Sequence, residues 1–185
     1  MTEEPFWLIR HAESSWNASG RWQGQADPPL SERGRAQAER LAQELRNEGL
    51  HLMVASDLAR TAETACIVSA ALGLEPRLEP RLRELDAGSW AGSTRQKIAR
   101  RDKPALDRFD SGDPDARAGG AESRNDVARR AREVLRELLA GKSDQRVAIL
   151  AHEGVLDSLL PGLKLGNAEW RVVERAVLAT VEAHG

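Results

Sequence analysis

At 185 residues, 41% of them apolar, the chain is long enough to bury one sizeable core, which favours a single domain over residues 1–185. Its 27 basic and 29 acidic residues give a net charge of −2, which argues against a nucleic-acid footprint or a polybasic membrane patch, so any anionic ligand would be met by a local cluster. Cys66 is the sole cysteine, which excludes a disulfide framework and a thiolate metal cage, while an acidic N-terminus and the lack of an apolar run near about 18 residues lead us to expect a soluble, cytoplasmic protein.

The first predicted element is an apolar strand at Phe6 to Ile9, which runs out into the polar sequence Arg10, His11, Ala12, Glu13. A helix is expected over Glu32 to Glu48, with Ser31 as its N-cap, Ala38, Leu41 and Leu45 facing inward, and Gly49 as its stop. Leu52 to Ala55 reads as a second strand, ending at Ser56, and the helix-spaced residues Leu58, Ala62, Ala65 and Ala70 follow, carrying Arg60 among them. A third extended stretch precedes Glu84. From Ser89 to Gly120 the chain is rich in glycine and proline, with few apolar positions beyond Ile98, Leu106 and Phe109, so residues 89–120 are expected to form an insertion over the surface. Seven basic and five acidic residues lie between Arg95 and Arg117; they read as a solvated face, with a lid that helps hold an anion as the alternative.

Val127, Ala131, Val134, Leu135 and Leu138 then follow the spacing of one buried helical stripe. The strand Val147 to Ala151 leads directly into His152, and a last strand is expected at Val177 to Val181. Short, nearly uninterrupted apolar strands are those covered on both faces. Their alternation with helices predicts an α/β fold, a three-layer α/β/α sandwich around a mostly parallel central sheet.

In such sheets ligands bind outside the carboxyl ends of the strands, which would bring Arg10, His11, Arg60, Glu84 and His152 to one place. Two histidines, two arginines and a glutamate there are what phosphoryl transfer through a phosphohistidine requires. A neutral imidazole is nucleophilic, and an ordinary pKa near 6.5 leaves a useful neutral fraction, so His11 is the candidate nucleophile. Arg10 and Arg60, with His152 as a third donor, would bind the phosphoryl oxygens as charge spreads over them. Glu84 is the chosen proton donor to the leaving alkoxide and then the base that activates water, with Asp86 and Glu13 as its competitors. This set needs no metal and no cofactor, because the guanidiniums bring the positive charge. His152, Glu153 and Asp157 lack the His-Glu-x-x-His spacing of a zinc protease, and a metalloenzyme is set aside.

The order of these motifs resembles the histidine phosphatase superfamily, which contains cofactor-dependent phosphoglycerate mutases and many phosphomonoesterases. Its Arg-His-Gly opening is matched by Arg10, His11 and Ala12, followed by Glu13 and Asn17, and its Gly-Gln-x-Asp-x-Pro-Leu-Ser/Thr stretch by Gly24 through Ser31. Ser56, Leu58, Arg60, Thr61, Thr64 and Ala65 match its next helix start, and Leu82, Glu84, Gly88, Trp90 and Gly92 its Leu-x-Glu-x-x-x-Gly-x-Trp-x-Gly segment. Gly120, Glu122 and Ser123 resemble its Gly-Gly-Glu-Ser run, and His152 its second histidine. The resemblance implies a phosphoglycerate mutase-like fold and a histidine acid phosphatase-like chemistry: His11 as phosphoryl acceptor, Glu84 as proton donor, and Arg10, Arg60 and His152 as the phosphate clamp. It further implies that Asn17, Gln23 and Gly24 lie in a loop closing on the phosphate.

The chain departs from the pattern at three positions. Ala12 stands for glycine, at a steric cost if the backbone there has positive φ, and Thr61 stands for alanine, adding a hydroxyl for local hydrogen bonding. Glu153 stands where glycine is usual. The commoner reading places it in the first turn of a helix, complementing the helix dipole. The sharper one has it face the pocket, where it would bind an amino group or repel a second phosphate. Trp16 and Trp22 flank the phosphate loop and are candidates to wall the pocket, whereas Trp90 and Trp170 read as packing residues. His51 and His184 carry no motif.

The function expected is a metal-independent phosphomonoesterase acting on a small-molecule phosphate ester, with neither nucleic acid nor membrane as partner. A cofactor-dependent phosphoglycerate mutase is the alternative, although mutases of this family are typically longer, with a C-terminal tail over the site. A phospholigand-binding module without turnover is a third reading, against which Glu84 speaks, since simple phosphate binding has no use for a proton donor.

Overall fold

The structure is a computed structural model that describes residues 3–183, so His184 lies outside the described residues. Strands β1 (Phe6–Arg10), β2 (Leu52–Ala55), β3 (Arg77–Leu78), β4 (Val147–Ala151) and β5 (Trp170–Val173) form one sheet in the order β3-β2-β4-β1-β5. The first four run parallel, and β5 adds antiparallel to β1 at the edge. Its helices are α1 (Ser15–Ala18), α2 (Glu32–Leu45), α3 (Ala59–Leu72), α4 (Arg95–Arg101), α5 (Lys103–Asp110), α6 (Arg124–Leu139), α7 (Glu153–Leu159) and α8 (Arg175–Ala183).

Successive strand side chains alternate between two cores, which is why the apolar runs are continuous. Phe6, Leu8, Val54, Val147 and Ile149 pack with α6, α7 and Leu178 of α8 on one face. Trp7, Ile9, Met53, Ala148 and Leu150 pack with Leu41, Ala42 and Leu45 of α2 and Ala65 and Val68 of α3 on the other. This is the three-layer α/β/α sandwich. Val127, Ala131, Val134, Leu135 and Leu138 are the buried stripe of α6, which opens on a capping box between Ser123 and Asp126. The Ser31 side chain caps α2 by accepting from the Gly34 N–H at 2.9 Å, and the helix ends at Leu45, three residues short of the expected Glu48.

Two expectations are corrected. Val177 to Val181 is not a strand but the middle of α8, whose inward face presents Leu178, buried, while Val177 stays 45% exposed. Its apolar run looked like a buried strand because alanines hid the helical period. The final strand lies earlier, at Trp170–Val173, an edge strand with Arg171 and Val172 exposed, so its sequence lacks the apolar continuity of the inner strands. Residues 89–120, expected over the surface, fold into α4 and α5 and bury Trp90, Ile98, Leu106 and Phe109 in the core shared with α6. Three ion pairs form within this segment, Arg95 with Asp110, Lys103 with Asp107 and Arg108 with Asp113, and Arg117 pairs with Asp126 of α6. Among the described residues no helix is long and apolar enough to cross a membrane.

Candidate active site

Parallel pairing puts the ends of β1, β2 and β4 in one row. Arg10 is opposite Ala151 and Ala55 opposite Leu150, so His11, Ser56 and His152 emerge side by side at one edge of the sheet. Above them opens a cavity of about 480 Å³. Arg10, His11, Arg60 and Glu84 line its inner end, together with Asn17, Gln23 and Gly24.

His11 is buried, and its Nδ1 lies 2.7 Å from the Ala12 carbonyl oxygen. A carbonyl only accepts, so Nδ1 carries the proton and Nε2 is left with its lone pair. Burial, the Arg60 charge and the Arg10 charge lower the His11 pKa to about 3, against the hydrogen bond to Ala12, so the ring is neutral near pH 7. Ala12 adopts no positive φ, and its N–H donates to Thr64 Oγ1 at 3.2 Å, so the methyl group fits without strain.

Arg60 is 1% exposed, with both terminal nitrogens anchored to backbone: Nη1 donates to Ala26 O and Nη2 to Gly24 O, each at 2.9 Å. Gly24 has φ +53°, and a Cβ there would lie 2.5 Å from the Ala87 nitrogen, so the carbonyl that holds Arg60 depends on glycine. Arg10 Nη1 donates to Leu165 O at 2.7 Å and meets Glu153 Oε2 at 2.9 Å. His152 is fully buried behind His11, ring centroids 5.0 Å apart, and does not itself line the cavity. Its Nε2 lies 2.9 Å from Ser56 Oγ and 3.2 Å from Thr61 Oγ1, so the extra hydroxyl at position 61 serves the second histidine. Burial first, and then the Arg60 charge, hold its pKa well below the usual histidine range.

Arg10 Nε, Arg60 Nε and His152 Nδ1 are all buried without a hydrogen-bond partner among the described residues. Trp90 Nε1, Arg132 Nε and Arg175 Nε are likewise unpaired elsewhere, but the first three belong to residues that flank His11 and are able to donate to an anion's oxygens.

Glu84 lies on the opposite wall. One carboxylate oxygen accepts from the Leu85 N–H at 2.9 Å and the other faces the Gly154 N–H at 3.4 Å. Burial raises its pKa, against those N–H groups and the Arg60 charge. The Glu84 carbonyl accepts from Arg130 Nη2 at 3.1 Å, and Arg130 is clamped by both oxygens of Glu122 at 2.8 and 2.9 Å, so the Glu122 segment braces the loop that carries Glu84. Asp86 is turned away and accepts from the Gly88 N–H, while Glu13 accepts from Ser31 Oγ, so neither competitor reaches the cavity.

Asn17 Oδ1 accepts from the Ser14 N–H at 3.0 Å and Gln23 Oε1 from the Ser14 hydroxyl at 2.6 Å. Both amides are thereby oriented with their NH₂ groups free to donate. The two tryptophans part company: Trp22 walls the cavity, edge-on to Trp90 and Phe109, whereas Trp16 packs beside Gly92 and does not line it. Glu153 is both a first-turn residue of α7 and a cavity residue paired with Arg10, so its two readings coexist. Sequence reasoning missed Gly154, on which the Glu84 carboxylate rests, and the outer lining residues Phe109, Arg124, Asp157 and Lys164. Arg124 follows directly on the Gly-Glu-Ser motif, a signal that was available. Among the described residues no group of three or more His, Cys, Asp or Glu side chains is placed to hold a metal ion.

Comparison with known proteins identifies the family and the fold. A family model described as histidine phosphatase superfamily (branch 1) matches residues 6–182. The chain is similar to a probable phosphoglycerate mutase GpmB of Erwinia tasmaniensis, 36% identical over 90% of this chain and 78% of that protein. It is also similar to phosphoserine phosphatase 1 of Hydrogenobacter thermophilus, 38% identical over 78% of this chain and 69% of that one. Among solved structures, a mycobacterial glucosyl-3-phosphoglycerate phosphatase in complex with VO3 superposes with a TM-score of 0.82 at 33% identity, covering 92% of this chain and 98% of that chain.

Proposed function

The chain belongs to the histidine phosphatase superfamily, and on that premise we propose that it is a phosphoric monoester hydrolase that works without a metal, through a phosphohistidine on His11, on a small phosphorylated metabolite. The observation that carries this reading is the trio of unpartnered buried nitrogens, Arg10 Nε, Arg60 Nε and His152 Nδ1, gathered around an imidazole whose Nε2 lone pair is uncommitted. The relatives named as phosphatases support hydrolysis.

In this mechanism His11 Nε2 attacks phosphorus and the bond to the ester oxygen breaks. The three equatorial oxygens are held by Arg10, Arg60 and His152, whose charges and N–H groups stabilise the transition state. Glu84, kept protonated to higher pH by burial, delivers its proton to the leaving oxygen. The resulting carboxylate then takes a proton from water as that water attacks the phosphohistidine, and orthophosphate leaves with His11 neutral again. Asn17 and Gln23 direct their amide N–H groups at the same phosphate.

The test is phosphate release from p-nitrophenyl phosphate and a panel of metabolite phosphates in excess EDTA, wild type against His11→Ala. Release that survives EDTA and falls at least about 10³-fold in the variant is expected. Interconversion of phosphoglycerates with 2,3-bisphosphoglycerate and no net release would replace hydrolase by mutase. Orthophosphate binding without turnover on any ester would leave a binding module.

A further inference from the structure

The cavity, of about 480 Å³, extends well beyond what a phosphoryl group needs, and besides the residues of the proposed phosphate site it is lined by Trp22, Phe109, Val127, Arg124, Asp157 and Lys164. Most charges at this rim are already balanced. Glu153 pairs with Arg10 at 2.9 Å, and Lys164 lies 3.5 Å from Asp157. Arg124, the first residue of α6, has no carboxylate partner among the described residues.

Arg124 is nonetheless held in place. Its guanidinium carbon lies 3.8 Å above the centroid of the Phe109 ring, and Nη1 donates to the carbonyls of Phe109 at 2.9 Å and Asp113 at 3.4 Å. The stack fixes the plane of the fork and the carbonyls fix its rotation, which leaves Nε and Nη2 without an acceptor among the described residues. A planar pair of N–H groups fixed in advance matches the two oxygens of a carboxylate, and the ordering cost of a free arginine has been met within the fold. One guanidinium suits a monoanion. A second dianionic phosphate there would also face Glu153, half-exposed on the same rim.

Resting on the hydrolase reading, we propose that Arg124 is a specificity-determining residue that pairs with a carboxylate on the leaving alcohol, so that the substrates of this site are phosphorylated hydroxy acids. The 89–120 segment contributes through Phe109, the platform on which Arg124 lies. The apolar wall of Trp22, Val127 and Phe109 then packs the carbon chain between phosphate and carboxylate.

The test uses esters that differ in the carboxylate: 3-phosphoglycerate against glycerol 3-phosphate, and O-phosphoserine against O-phosphoethanolamine, with p-nitrophenyl phosphate alongside. Wild type is expected to favour the acid of each pair in kcat/KM by about tenfold or more, the fold-change of one charge-assisted hydrogen bond. Arg124→Met should bring each ratio to within about twofold of unity, and Arg124→Lys, which keeps the charge without the fork, should fall between. A wild-type ratio near unity, or an Arg124→Met ratio equal to wild type, overturns the proposal while leaving the hydrolase intact. Absence of release from every ester, p-nitrophenyl phosphate included, fails the hydrolase reading first and this proposal with it. Should Arg124→Met not fold, an Arg124→Lys ratio equal to wild type for both pairs would equally overturn it.

Discussion

Gly154→Ala would separate activity from stability. A Cβ built at Gly154 lies 2.6 Å from Glu84 Oε1, whereas ordinary contact begins near 3.4 Å. The carboxylate is the movable end of its side chain, so it is the group that yields, by roughly 0.8 Å, which disturbs the hydrogen bond from the Leu85 N–H that orients it. A misplacement approaching 1 Å in a catalytic group costs up to about 10²-fold, so protonation of a poor leaving group should slow by about 10 to 100-fold. Stability moves the other way. Gly154 is the second residue of α7 with ordinary helical φ, where alanine is favoured over glycine by as much as about 1 kcal/mol. Single-turnover formation of the phosphoenzyme from an alkyl phosphate and from p-nitrophenyl phosphate, whose leaving group needs little protonation, measures the step directly. A large loss on the alkyl ester, a small one on the aryl ester and an unchanged or raised Tm are expected. Equal losses on both esters, or wild-type rates on the alkyl ester, would refute the account of Glu84 as a proton donor positioned by Gly154; a fall of several degrees in Tm would locate the damage in the fold instead.

Glu84 and His11 each carry a pH dependence of opposite kind. In the proposed mechanism the acid form of Glu84 is the active one, and burial raises its pKa, so single-turnover cleavage of alkyl phosphates should hold through weakly acidic pH and decline as pH rises through the raised value. Glu84→Gln should abolish that decline along with most of the rate; a basic limb that persists in the variant would assign it to another group. His11 has a folded pKa of about 3 against about 6.5 when unfolded, so below pH 6.5 the unfolded chain takes up a proton that the folded protein refuses. Stability from this group is complete above pH 6.5 and is lost as pH falls toward 3, at about 1.4 kcal/mol per pH unit. His152 acts in the same direction, so urea unfolding from pH 6 to pH 4 should show a shallower loss in His11→Asn than in wild type, and identical slopes would contradict the buried neutral imidazole.

Strand-end placement of Arg10, His11 and His152 was legible because a parallel sheet covered on both faces writes itself as short apolar runs, and each run stops where its polar group begins. The edge strand β5 and the helix α8 were not, since an edge strand needs apolar residues on one side only and an alanine-rich helix imitates a buried strand. The choice of Glu84 over Asp86 and Glu13 followed from chemistry and motif order, and the structure places it, and neither rival, against the cavity.

The layered α/β fold, the family, and the charged groups that meet at the strand ends are readable along the chain, because these rest on local periodicity and on motif order. Folding in three dimensions settles which nitrogen of His11 keeps its lone pair, that Thr61 serves His152 across 91 residues of chain, that Gly154 makes room for Glu84, and that Arg124, with no carboxylate partner among the described residues, lies on Phe109. Those properties depend on contacts between distant segments, and no spacing within one segment encodes them.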